Sequence, residues 1–398
     1  MICRFENRLT GHALALSGAR ERVCAYRAEE LPAVFDAIDA ARRAGRWVAV
    51  LADYELGEWL VPDAVRPPSE IPGSSAVNAS LSETQGTPAA KRAPLPGAGT
   101  ARPRLTMLAY EHAAHETPWR ALPLDTEASI VSVMPTVQKP DYLNQIKEVR
   151  AKIARGELYQ LNYTFGLDVT TQGDETALYR RLANRHPSAH AAFIEDEGRT
   201  ILSFSPELFI ERKGARVTTR PMKGTAPRMA DPLADEASGE ALLASEKDRS
   251  ENLMIVDLLR NDLGRLAPPG GVTLEALFTL EKYPSVWTMT STVSADLPDT
   301  PLRDILAALF PCGSITGAPK IAAMQHIRTM EASARGLYCG SIGWIAPDGD
   351  FSLNVAIRTL VLDGPGRGNY HVGGGIVYDS DPLLEWEECL WKARVLTS

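Results

Sequence analysis

Long apolar runs are missing from this chain of 398 residues, and nothing approaches the roughly 20 consecutive apolar residues of a membrane-spanning helix. The opening MICRFENRLTGHAL has no continuous apolar segment, so no secretory signal is expected there. Cysteine is scarce and scattered. Cys3, Cys24, Cys312, Cys339 and Cys389 contain no Cys-x-x-Cys pair, which argues against a zinc ribbon or a disulfide framework and for reduced thiols in the cytoplasm. An excess of positive charge is absent too. A net charge of −8 disfavours a polyanion-binding surface, while leaving local Arg and Lys free to hold a small anion. The one run of three glycines, Gly373-Gly374-Gly375, does not match the dinucleotide-binding Gly-x-Gly-x-x-Gly spacing.

What is present is a large, ordinary core-forming composition with one break. Residues 1–61 read as globular, with LPAVFDAIDAARRAG as an amphipathic helix and RWVAVLADYELGEWL as strand material. Residues 62–104 are rich in Pro, Ala, Ser and Gly without apolar periodicity; too little apolar surface is available there to offset ordering entropy, and a mobile insertion is expected. The remainder, 105–398, is dense in strand and helix signals. These do not alternate as βαβ units, so the expectation is an α+β fold with largely antiparallel sheets flanked by helices.

Several positions carry possible chemistry. In ILSFSPELFIERKGARVTTRPMKGT, a hairpin turning near residue 214 would bring Glu207 nearly opposite Lys223. Lys223 is then either a solvated surface cation or, with desolvation or a base, a nucleophile. SEKDRSENLMIVDLLRNDLG reads as a helix capped by Ser245 and closed by Gly264; Glu251 shares its apolar stripe and should point inward. In the final helix, capped by Asp381 with Pro382 first, Glu385, Glu388 and Lys392 share a face. The two glutamates could be magnesium ligands or could pair with Lys392. Arg358 shares a strand face with Ser352, Asn354 and Ala356, suited either to a bidentate carboxylate contact or to a salt bridge. The glycine run could be an anion nest or a turn. Lys320, at the helix start after FPCGSITGAP, could assist anion binding there or merely cap.

Taken together, GELYQLN, SFSPELF, RPMKGTAPR, SEKDRSENLMIVDLLRNDLGR, FPCGSITGAPKIAAM, CGSIGW, IRTL and GGGIVYDSDPLLEWEEC resemble, in order, the chorismate-utilising enzymes, in particular their aminodeoxychorismate synthase branch. That resemblance implies two packed antiparallel sheets with chorismate between them. It implies magnesium held by Glu251 and Glu388, with Glu385 close by. Arg358, Gly373, Gly374, Gly375 and Lys392 match positions that hold the substrate carboxylates, and Gln160, Gly224, Thr225 and Trp344 match further substrate contacts. Glu207 matches the acid that assists loss of the C4 hydroxyl. Gln160 stands where isochorismate-forming relatives carry a water-activating lysine. Lys223 stands where anthranilate synthases carry alanine and marks the branch in which it attacks C2. Thr288 replaces the histidine that serves pyruvate elimination. No cysteine lies in a Gly-x-Cys-x-Gly elbow, and the resemblance implies that ammonia comes from a separate glutamine amidotransferase subunit, unless free ammonia is used.

Overall fold

The computed structural model describes residues 1–65, 102–284 and 286–397. Its 18 strands belong to one hydrogen-bonded antiparallel sheet. From an edge at Val272–Lys282 the pairing passes through Val286–Asp296 and Arg216–Arg220 to Leu208–Lys213. It continues through Phe351–Asn354 and Ser341–Ile345 into Trp47–Ala52, which also pairs with Leu105–Glu116. The path then crosses His12–Ala25, Cys3–Asn7, His190–Asp196, Arg199–Ser205 and Thr359–Leu362. It ends through Arg367–Ile376 and Gln160–Gln172 at Ser129–Pro135. The expected α+β class holds, and the expected sheets are stretches of one continuous network. One core joins its two ends: Phe165 and Val169 near one edge belong to the same cluster as Val217 and Val293 near the other.

Residues 1–61 are woven into this sheet, because Trp47–Ala52 lies between strands contributed by residues beyond 104. That strand is apolar along its whole length for a reason. Val48, Val50 and Ala52 face one core cluster, and Ala49 and Leu51 face the other. The insertion expected over 62–104 lies mostly outside the described residues. Its described ends are anchored: Ala64 is buried, Arg102 pairs with Asp363, and Arg104 donates to Glu58 at 2.9 Å. Among the described residues no helix is long and apolar enough to cross a membrane.

Two helices form as their end signals dictate. Ser245 accepts from the Asp248 amide at the start of Glu246–Gly264, and Asp381 accepts from Leu383 and Leu384 at the start of Pro382–Lys392. A buried ion pair anchors the segment between them. Arg335 donates to both carboxylate oxygens of Glu331 at 2.9 and 2.7 Å and to the carbonyls of Ile315 and Asn162. Glu331 also accepts from the Thr164 amide. Removing one member strands the other in a low-dielectric interior. Glu331→Ala is expected to lose about 3–5 kcal/mol of stability, measured from denaturant midpoints; a loss below about 1 kcal/mol would mean that Arg335 is satisfied without its carboxylate.

Candidate active site

A cavity of about 620 Å³ opens where these elements meet. Its walls come from the turn around Lys223, the first turns of Glu246–Gly264, the loop before the helix Lys320–Met330, the glycine strand and the last helix. Glu207 sits at its inner end, 5% exposed, and accepts from Ser314 Oγ at 2.7 Å. Burial pushes its carboxyl above the ordinary value; the Ser314 hydroxyl and the Lys223 ammonium only partly offset this. A carboxyl so placed keeps its proton to higher pH and can serve as an acid.

Lys223 lines the same cavity, half-buried, and no ion-pair or hydrogen-bond partner holds it among the described residues. It reaches this place otherwise than by the expected hairpin. Leu208 pairs with Arg220 across a bulge. Beyond Pro221 the chain leaves that partner, and Met222–Pro227 pairs with Val286–Asp296. Gly224 takes φ +84 there, and a Cβ would meet Asp248 at 3.0 Å, so only glycine fits the turn. Thr288 donates to the Gly224 carbonyl at 3.1 Å and fixes it from behind; Thr225, the next residue, pairs in register with Thr288 and also lines the cavity.

Arg358 lines the cavity but does not share a strand face with Asn354. The strand stops at Asn354, and Arg358 adopts φ +50 just before Thr359–Leu362. Burial lowers its pKa, and among the described residues no carboxylate lies within ion-pair distance of it. A guanidinium is charged at any working pH. One held out of water without a carboxylate is a ready anion site.

The three glycines are neither a turn nor a nest. They lie inside Arg367–Ile376, paired with Asn162, Tyr163 and Thr164, and what they supply is clearance. A Cβ on Gly373 would meet the Tyr163 carbonyl at 2.4 Å, and one on Gly374 would meet Glu385 Oε2 at 3.0 Å. One on Gly375 would lie 2.2 Å from Gln160 Nε2 and 3.3 Å from Lys223 Nζ. Gln160 itself is fully buried, and neither of its amide atoms has a hydrogen-bond partner among the described residues. Gln160 lies behind Gly375 rather than in the cavity wall, and buried polar atoms of that kind need a partner, water or ligand.

Glu251, Glu385 and Glu388 all line the cavity. Burial raises the first two, and the Glu388 charge adds to both. Glu388 is exposed toward solvent, and although partial desolvation acts the same way, Lys392 at 2.7 Å outweighs it and holds the carboxyl below its usual value. Among the described residues no three acidic, His or Cys side chains close into a metal cage. Carboxylates that line one cavity without enclosing an ion suit magnesium, which keeps waters and takes one or two carboxylates together with ligand oxygens. Lys392 donates to the Gly373 carbonyl as well as to Glu388, so it reaches the cavity already engaged.

A family model described as chorismate binding enzyme matches residues 12–398. The chain belongs to this family. It is 41% identical over 255 residues to the aminodeoxychorismate synthase component 1 of Salmonella typhimurium, covering 64% of this chain and 56% of that protein. It is 36% identical to the anthranilate synthase component 1 of Streptomyces coelicolor, over 77% of this chain and 57% of that one. The chain thus matches little more than half the length of these curated relatives. The crystal structure of anthranilate synthase component I from Streptococcus pneumoniae superposes with a TM-score of 0.77 at 23% identity, over 97% of this chain and 92% of that one, which establishes the fold.

Within this chorismate-binding fold, the expected place of Trp344 fails, and so does one of the two readings of Lys320. Trp344 does not reach the cavity. Alternation along Ser341–Ile345 turns it to the opposite face, where it packs against Trp47 at 5.6 Å and lines a separate cavity of about 310 Å³. Lys320 is no anion ligand, since its ammonium is buried against Asp262 and the Leu309 carbonyl. Other residues enter the site unannounced. Ser314 was one hydroxyl among several in FPCGSITGAPK, and only its bond to Glu207 singles it out. Lys247, 4.0 Å from Glu251 and one turn before it, and Trp391, next to Lys392, also line the cavity.

Proposed function

We propose that this chain aminates chorismate at C4, giving 4-amino-4-deoxychorismate for 4-aminobenzoate and folate synthesis in the cytoplasm. The observation that carries this reading is the amino group of Lys223, unpaired among the described residues, in the same cavity as a buried, proton-retaining Glu207. Displacing hydroxide from C4 directly is difficult, and a relay through C2 divides it into two allylic steps. In the first, Lys223 as the free amine bonds to C2, the two ring double bonds shift, and the C4 oxygen departs as water with the proton of Glu207. In the second, ammonia bonds to C4, the double bonds return, the C2–N bond to Lys223 breaks, and the surplus proton goes back to Glu207.

Arg358 receives a substrate carboxylate, and the Gly373–Gly375 strand lets the ring approach closely. Glu251 and Glu388, with Glu385 beside them, would hold magnesium, which supplies charge neutralisation at the ring carboxylate. Lys392 releases Glu388 in part and turns to the substrate carboxylate. Gln160 directs its orphaned amide to the ligand where a basic lysine would activate water. Ammonia comes from a glutamine amidotransferase partner.

The test is direct. Purified chain with chorismate, magnesium and ammonium is expected to form aminodeoxychorismate, identified by mass, and glutamine is expected to replace ammonium only when an amidotransferase is added. Anthranilate as the main product, recognised by its fluorescence, would overturn the reading.

A further inference from the structure

Resting on that reading of Glu207 as the acid, we infer that Ser314 and Cys312 form a hydrogen-bond chain that fixes the acid proton of Glu207 on Oε2, the oxygen left to the substrate. Ser314 Oγ lies 2.7 Å from Glu207 Oε1, and Cys312 Sγ lies 3.3 Å from Ser314 Oγ. All three side chains are buried, at 5%, 4% and 4% exposure. A hydroxyl has one proton. With that proton given to Glu207, the contact between sulfur and Ser314 requires the thiol to donate. Burial pushes the Cys312 thiol up to about 12, so it keeps the hydrogen it must give.

The consequence for Glu207 is directional. In a neutral carboxyl the unprotonated oxygen is the better acceptor. A donor committed to Oε1 therefore leaves the transferable proton on Oε2. The loop carrying the chain is held firmly: Thr316 Oγ1 donates to the Cys312 carbonyl at 2.8 Å, and Arg335 donates to the Ile315 carbonyl at 2.9 Å. A Cβ at Gly313 would strike Leu258 at 2.4 Å, so the loop is also packed against the helix that carries Glu251. Other groups act on Glu207 from every side. The Met222 amide also donates toward this carboxyl, and Lys223 on the strand Met222–Pro227, Arg358 before Thr359, Tyr283 after Val272–Lys282, and Cys312 and Cys339 act on it electrostatically. Among the described residues Ser314 is the one side chain that donates a hydrogen bond to Oε1.

The sign of the pH effect follows. The acid works while protonated, so its activity is lost as pH rises through the Glu207 pKa. Ser314 donation lowers that pKa, and removing it moves the loss to higher pH. In ammonium-dependent assays of the full chain, Ser314→Ala is expected to lower kcat by roughly tenfold to a hundredfold. KM for chorismate should stay within about twofold, and the alkaline limb should shift upward. Ser314→Thr should restore both. Cys312→Ala should give the same shift with a smaller loss of rate, and it carries the test should Ser314→Ala not fold.

An infrared titration of the protein alone gives a second reading that needs no turnover. The buried carboxyl band that disappears in Glu207→Gln should titrate at higher pH in Ser314→Ala than in the native chain. Native chain that makes no aminodeoxychorismate would overturn the proposed reaction, whereas an unmoved carboxyl band would overturn this inference alone. Wild-type kcat and an unshifted limb in Ser314→Ala would do the same.

Discussion

Lys223→Ala is expected to abolish amination at C4, with a loss on the order of 10³-fold or more that abundant ammonium does not restore. The cavity's other lysines are committed elsewhere: Lys392 to Glu388 and the Gly373 carbonyl, and Lys247 toward Glu251. Among the described residues, Lys223 is the one lysine of the cavity with neither an ion pair nor a hydrogen bond. Reaction mixtures of the native chain, stopped by denaturation, should contain a peptide spanning Lys223 with a chorismate-derived mass. That adduct should be missing in Lys223→Ala and scarce in Glu207→Gln, whose C4 oxygen would depart without its acid. Chorismate affinity should fall much less than turnover, because Arg358 and the glycine strand remain. Near-native production of aminodeoxychorismate by Lys223→Ala would refute the covalent role and leave Lys223 as a positioning cation.

Glu251→Gln and Glu388→Gln are each expected to remove most turnover, about 10²-fold, while leaving thermal stability near native. Glutamine keeps the volume and removes the charge. Glu251 is half-buried with its carboxyl raised by desolvation, so neutralising it relieves burial of a charge and should not unfold the helix Glu246–Gly264. Magnesium titration followed by calorimetry separates this from a structural role. Both variants should bind the ion at least tenfold more weakly in the absence of chorismate. Two variants with unchanged magnesium affinity would place the ion elsewhere. Glu385→Gln should have the smaller effect, since Glu385 is only the neighbour of the proposed pair and its hydrogen bond to Ser380 already offsets part of its burial.

Much of this protein was legible before any fold was in hand, and the physical reason is locality. The caps at Ser245 and Asp381 and the inward Glu251 are settled by neighbours within a few residues. Motif order went further, since it drew Glu207, Lys223, Glu251, Arg358 and Glu388 toward one cavity without giving their geometry. Only the tertiary structure decided the rest. The Ser314–Glu207 bond spans 107 positions, and no periodicity reports a contact of that range. Trp344 and the glycine run had plausible places in a site by residue type. A strand's pairing partners determine which face is lined and how much clearance is needed, and these put Trp344 on Trp47 and the glycines against Tyr163 and Gln160. Lys320 shows the same limit, because whether an ammonium meets a ligand or Asp262 depends on where a distant helix lies. Local sequence thus determined which groups are available and the elements that carry them; long-range packing, which balances burial against pairing for each charge, decided which of them are left unpaired to do chemistry.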